Sequence, residues 1–192
     1  MSDGGRDLSR EQLIDLLTEV GQLLLDQDTE AAIYVVGGAA MAISYQSRRV
    51  TRDVDATLRA GGEAFWTAVD TVASRHGLGP DWINNHATPF MTNEPDCDAA
   101  ELTLPGLRIV VASAEHLIAM KLRAMRPRDI SDLELLFRQA GITSPQQAAD
   151  IHNRLFDDSY IGYFDPDEAL YAATTVFQKA AAEGRPIGPV SS

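Results

Sequence analysis

Cysteine is nearly missing from this chain. Cys97 stands alone, so no internal disulfide can form, and that usage fits the reducing cytoplasm. Long apolar runs are missing as well. No stretch reaches the roughly eighteen apolar residues a spanning helix needs, and Met1 to Arg10 is polar and charged, so neither a membrane segment nor a signal peptide is predicted. The four histidines (His76, His86, His116, His152) are scattered, and with one cysteine they offer no zinc-ligand spacing. Each reads as a surface or helix residue. Positive charge is scarce too: 16 Lys and Arg stand against 28 Asp and Glu, a net charge of −12. Such a balance disfavours sequence-blind coating of a duplex.

What is present begins with 45% hydrophobic residues over 192 positions, enough for one domain of ordinary size or a domain with a small helical appendage. The informative feature is a spacing. Ile33-Tyr34-Val35-Val36 reads as a buried strand and runs into Gly37-Gly38; fourteen residues later comes Asp53-Val54-Asp55. Alternate residues of a strand share a face, so both carboxylates project together. At roughly 5 Å and an effective dielectric of about 20 they repel by on the order of 3 kcal/mol. A hard divalent cation relieves that best. A glycine turn that lets phosphates approach, with a carboxylate pair for Mg²⁺, is the equipment of a nucleotidyl or phosphoryl transferase. Either element alone is commonly just a turn.

The remaining pattern supplies a scaffold. Ser9-x-x-Gln12 reads as a capping box before Leu13, Leu16, Leu17, Val20 and Leu24, predicting a helix from Arg10 to Asp26. A strand over Ala32 to Val36, a short helix over Ala39 to Gln46 and a strand over Val50 to Leu58 follow. Gly61-Gly62 then precedes a helix over Glu63 to Arg75. Asp81 to Asp98 reads as loop, with a short strand near Thr88 to Met91. Ala100 to Leu104 and Leu107 to Ala112 form a predicted hairpin around Pro105-Gly106. Helices follow after Ser113, over Asp129 to Ala140, from Ser144-Pro145, and over Asp165 to Ala182. The division expected is an α/β core over residues 1–112, a helical region over 113–183 and a disordered tail over 184–192.

A second constellation lies in that helical region. Lys121, Arg123, Arg126 and Arg128 fall within eight residues, and lysine occurs elsewhere only as Lys179. Local basic patches on an acidic chain, with Arg48, Arg49 and Arg52 beside the aspartate pair, suit a phosphate-bearing ligand at one site. Lys121 adjoins an apolar helical stripe, where a lysine either snorkels to solvent or serves an anion. Asp129 could cap the next helix, and Asp132 in its first turn would favour the dipole. In one unbroken helix Lys121 and Asp132 would lie about 16 Å apart. Pro127 disfavours helix at Arg126, so a turn that folds the chain back is expected there.

Gly37-Gly38-Ala39-Ala40, Arg49-x-Thr51-x-Asp53-x-Asp55, Lys121-Leu122-x-Ala124 and Arg128-Asp129-x-x-Asp132-Leu133 together resemble the AbiEii-like nucleotidyltransferases, which include the MenT-type toxins of mycobacteria. The resemblance spans about residues 30 to 140. It implies an α+β, DNA polymerase β-like nucleotidyltransferase fold: a small mixed sheet flanked by helices, with a helical C-terminal region. Carried over by position, Gly37 and Gly38 would sit where the nucleotide phosphates approach, with Arg49, Thr51, Arg128 and Asp129 also around the nucleotide. Asp53 and Asp55 would hold Mg²⁺, and Lys121 would contact the triphosphate. Asp132, or alternatively Asp129, would be the further carboxylate and general base. Gly38 departs from the family's frequent serine, removing a hydroxyl but keeping the backbone amide.

The function so implied is that of a cytoplasmic toxin of a toxin–antitoxin pair. It would transfer a nucleoside monophosphate from an NTP, CTP or another pyrimidine nucleotide, to the 3′ end of tRNA and so block translation. An antitoxin is an implied partner, including a kinase acting near Thr51. Two alternatives stand beside it: the same chemistry on a protein hydroxyl or small molecule, and a non-catalytic nucleotide-binding interaction protein.

Overall fold

Apolar periodicity and two capping boxes account for most of the helices in the computed structural model, which describes residues 6–45, 50–156 and 165–188. The chain divides into two units, Met1–Pro89 with Asp98–Ala112, and Phe90–Cys97 with Ser113–Ser192.

The first unit opens with helix α1 (Arg10–Leu25), capped reciprocally by Ser9 and Gln12 as the sequence predicts. Its stripe of Leu13, Leu17, Val20 and Leu24 is wholly buried. Strand β1 (Ala31–Val35) follows, then a short helix α2 (Gly37–Ala40) that passes into a π-helical turn over Met41–Tyr45. Arg10 Nε donates to the Ile43 carbonyl at 3.0 Å and the Tyr45 hydroxyl to the Ala112 carbonyl at 2.9 Å, which ties that irregular turn down. Strand β2 (Val54–Ala60), helix α3 (Gly62–His76), strand β3 (Ile83–Asn84) and the hairpin β4 (Ala100–Leu104) and β5 (Leu107–Val111) complete the unit.

The five strands form one mixed sheet in the order β3-β2-β1-β5-β4. β1 is antiparallel to β2 and parallel to β5, and β2 runs parallel to β3. β1 is buried throughout, whereas β5 buries only Leu107, Ile109 and Val111, the alternation of a half-covered strand. α1 packs on α3 and on the β4–β5 hairpin.

Three expectations change here. The second strand begins at Val54, not Val50, because Thr51 pairs with Leu8 in an isolated antiparallel bridge and Arg52 bends the chain. Residues 81–98 are not all loop: Ile83 and Asn84 extend the sheet beside Val54 and Asp55. The short strand expected near Thr88 to Met91 is instead a 3-10 turn over Thr88–Phe90.

The second unit is helical: α4 (Ala114–Ala124), a 3-10 turn over Pro127–Asp129, α5 (Ile130–Gln139), α6 (Pro145–Leu155) and α7 (Pro166–Ala182). α4 packs on α5, α6 and α7, and α6 lies along α7. The segment Phe90–Cys97 belongs to this unit and is clamped to the start of α4, where Ser113 N donates to Asp96 Oδ2 at 2.9 Å. Of the tail expected to be disordered over 184–192, residues 184–188 are described. Arg185 pairs with Glu134, Arg138 donates to the Pro186 carbonyl at 3.1 Å, and Ile187 is buried. Residues 189–192 lie outside the described residues.

Candidate active site

In the first unit the site is built by the ends of β1 and β2. Val54 is fully buried, while Asp53 just before the strand and Asp55 just after Val54 are half-buried, Asp55 on the strand face opposite Val54. Val36 N donates to the Asp55 carbonyl at 2.9 Å, which brings the first glycine against the second aspartate. Gly37 has φ +64°, a conformation side chains resist, and a Cβ there would lie 2.6 Å from Asp55 Oδ2. A Cβ on Gly38 would lie 2.8 Å from Thr51 Oγ1. The glycines are thus required by the carboxylate and hydroxyl they face. The serine that the resemblance places at position 38 would collide with Thr51 in this chain.

Thr51 is itself buried, its hydroxyl donating to the Asp53 carbonyl at 3.0 Å and lying 3.4 Å from Asp53 Oδ1. Two-way backbone bonds to Leu8 at 2.7 and 3.0 Å hold it in place. Arg52 points to Asp7 at 3.0 Å. Arg48 and Arg49 lie outside the described residues. Asn84, which sequence reading left in a loop, is the register partner of Asp55 and is buried. Its amide is spent on the local turn, donating to the Asp81 carbonyl at 3.1 Å and accepting from His86 N at 2.9 Å. The only signal for it was the Asn84-Asn85 pair, which also marks turns.

In the second unit the chain reverses as Pro127 predicts. Met125 takes φ +40° at the end of α4, Arg126 is extended, and the 3-10 turn leads into α5. This brings Lys121 Nζ to 2.7 Å from both Asp129 Oδ1 and Asp132 Oδ2. Lys121 neither snorkels nor stands open to an anion: it is 6% exposed, with Asp129 at 7% and Asp132 at 1%. Asp129 precedes α5 but makes no side-chain cap bond, since its carboxylate is turned to Lys121. The cluster carries one positive and two negative charges. An ammonium has three donors and two are taken, so at most one is left for a ligand oxygen. Arg128 is exposed beside it.

A Ser113–His116–Asp96 grouping also lies in this unit. It is not a nucleophilic triad. Ser113 Oγ and Asp96 Oδ1 both address His116 Nδ1, each at 3.2 Å, while Nε2 faces the Glu94 carbonyl at 3.3 Å. A triad needs the hydroxyl and the carboxylate on opposite ring nitrogens. The grouping anchors Phe90–Cys97 to α4. His116 and His152, read as surface or helix residues, are helical but buried.

Among the described residues no three His, Cys, Asp or Glu side chains group as metal ligands. Two half-buried carboxylates one residue apart nevertheless suit Mg²⁺, which takes one or two protein carboxylates and fills its octahedron with water and substrate phosphates. No described helix is long and apolar enough to cross a membrane.

A family model described as a nucleotidyltransferase of unknown function, DUF6036, matches residues 11–144, more than half of the chain. That span takes in both glycines and Asp53, Asp55, Asp129 and Asp132. No curated protein and no solved structure matches the chain.

Proposed function

Since the chain belongs to the DUF6036 nucleotidyltransferase family and is therefore a nucleotidyl-transferring enzyme, we propose that it is a Mg²⁺-dependent toxin of a toxin–antitoxin pair. In this reading it moves a nucleoside monophosphate from an NTP, a pyrimidine nucleotide such as CTP, to the 3′ end of tRNA. The observation that carries the Mg²⁺ reading is the fit of Gly37 against Asp55 Oδ2, where a Cβ would come within 2.6 Å. A glycine pinned to a carboxylate lets backbone, metal ligand and phosphate share one small space. The tRNA and toxin parts rest on the motif resemblance.

Asp53 and Asp55 would hold the metal, whose charge stabilises the α-phosphate and the leaving pyrophosphate. The acceptor hydroxyl oxygen forms a bond to the α-phosphorus as the bond to the β-phosphate oxygen breaks. The hydroxyl proton passes to a carboxylate. Between the two candidates, exposure favours Asp129 at 7% over Asp132 at 1% as the one an acceptor reaches. Lys121 holds that pair in place through its two bonds at 2.7 Å, with at most one donor left over. Gly37, Gly38 and Arg128 are nucleotide-contacting residues in this reading because of the motifs they belong to, as the resemblance implies. Arg49 belongs to the same motif.

An antitoxin kinase acting near Thr51 would add negative charge beside Asp53 and oppose nucleotide binding. Thr51 would have to leave its bonds to Asp53 and Leu8 first. The test is incubation with each labelled NTP in turn, with total RNA and total protein, with and without Mg²⁺. Label is expected on tRNA, only with Mg²⁺, and not with Asp53→Ala or Lys121→Ala. Label on protein or on a small molecule instead would redirect the acceptor. Undiminished labelling by both variants would remove the residue assignments.

A further inference from the structure

We infer that the turn after α4 carries a stacking platform for a single-stranded nucleic acid. It is built on Phe90, Arg126 and Arg128, with Arg123 and Phe156 continuing it. This rests on the transferase acting on a nucleic acid, and names the surface that receives the strand.

The guanidinium of Arg126 lies 5.0 Å from the centroid of Phe90, and that of Arg123 lies 4.7 Å from the centroid of Phe156. The two pairs are neighbours. Arg123 and Arg126 are three residues apart at the end of α4, and the Thr92 hydroxyl donates to the Leu155 carbonyl, tying the segment of one ring to that of the other. The segment bearing Phe90 is further fixed by Asp96 and Glu94 on Ser113 and His116. Phe90 is thus presented on a held backbone.

Arg126 is exposed, and an exposed guanidinium–ring pair adds little to folding. Yet the chain accepts an unfavourable φ of +40° at Met125, not a glycine, immediately before it. Pro127 then places the exposed Arg128 on the same turn. The chain carries −12 overall and 16 basic residues, of which Lys121, Arg123, Arg126 and Arg128 fall within eight positions. Lys121 is consumed internally by two aspartates. Arg126 and Arg128 are the exposed members of the group, and arginine's flat cation stacks on bases and pairs with phosphate. An exposed guanidinium–ring pair, with a second and partly buried one three residues before it, matches a strand better than a lone nucleotide, because a strand offers one base after another.

The experiment is fluorescence anisotropy of the full chain with a labelled single-stranded RNA of about twelve nucleotides, a size one small platform covers. EDTA is present and nucleotide is left out. Arg126→Ala and Phe90→Ala should each weaken binding roughly tenfold. Arg126→Lys, which keeps the charge but loses the plane, should stay close to the alanine variant. Arg128→Ala should lower the slope of log affinity against log salt by about 0.7, one phosphate contact. The proposal is overturned if wild type does not bind the strand or binds a duplex as well. It is also overturned if the Arg126 variants bind like wild type, or if free CTP displaces the strand by occupying the same stack. Arg126 is exposed, so its variants fold even where Phe90→Ala does not. Strand binding that depends on Arg126 in a protein that labels no acceptor removes the tRNA reading alone. Labelled RNA with binding indifferent to Arg126 removes this platform alone.

Discussion

Lys121 Nζ and Asp132 Oδ2 lie 2.7 Å apart in an environment where Asp132 is 1% exposed, and Asp129 Oδ1 takes a second position at the same distance. Truncating the lysine leaves two carboxylates buried without their counter-ion. Lys121→Met should therefore lose about 3–5 kcal/mol of stability as well as activity. Asp132→Asn keeps the shape and one acceptor, and should lose less. Urea unfolding of the two variants, with the double variant to close the cycle, measures the coupling. Equal and small losses would mean that the triad contributes little to the fold.

The two glycines should respond differently to the same change. Gly38→Ala meets only the Thr51 hydroxyl closely, at 2.8 Å, and should lose about 1–3 kcal/mol. Combining it with Thr51→Ala removes that oxygen and should recover much of the loss. Gly37→Ala meets Asp55 Oδ2 at 2.6 Å and must also hold φ +64°. Removing the carboxylate relieves the first problem and leaves the second, so Asp55→Ala should not restore it. Thermal denaturation of the four combinations separates the cases.

Glu19 ties α1 to α3. Its carboxylate accepts from Arg75 at 2.7 Å and faces His76 Nε2 at 2.6 Å. The Arg75 hydrogen bond, followed by that of His76, holds its pKa below the ordinary carboxylate value. A depressed acid contributes stability above the unfolded pKa and loses it as pH falls through the folded one. Stability should therefore drop below about pH 4.5, and Glu19→Gln should flatten that drop. The side chain is 29% exposed, so the effect should be about 0.5–1 kcal/mol. Urea midpoints at pH 6 and pH 3.5 measure it, and high salt should shrink it.

Much of this was legible from residue order, and what was not has physical reasons. The capping residues Ser9, Ser113 and Ser144 announced α1, α4 and α6, because capping is a local bond. Pro127 announced the reversal that joins Lys121 to Asp129 and Asp132. The start of β2 was misplaced because its register is set by Leu8, over forty residues away, and by Ile83, a partner in a two-residue strand. No local pattern encodes either. The buried fate of Lys121 was likewise invisible: the apolar stripe suggested snorkelling, and only the folded turn supplies two anions. Met125 gave no hint of a left-handed turn, since that conformation favours glycine. The platform of Phe90 and Arg126 pairs residues thirty-six positions apart in the sequence.

His152 supplies a pH dependence of opposite origin to that of Glu19. It is 1% exposed in α6, its ring 5.0 Å from that of Phe156, with Nδ1 3.0 Å from Asn153 Oδ1. Burial, reinforced by the nearby Arg123 charge, pushes its pKa below the ordinary histidine value of 6.5, although the Asn153 hydrogen bond opposes this. The unfolded chain then binds a proton more readily than the folded one. Stability contributed by the neutral ring is complete above the unfolded pKa and is lost as pH falls from there toward the folded one. Between pH 7 and pH 5 the full chain should lose stability through this residue, as the unfolded chain takes up the proton that the folded one refuses. His152→Gln, which cannot take up a proton, should abolish that slope while leaving the Glu19 dependence at lower pH in place. Urea midpoints across pH 5–8 for wild type and variant decide it, and a slope unchanged by the substitution would assign the dependence to another group.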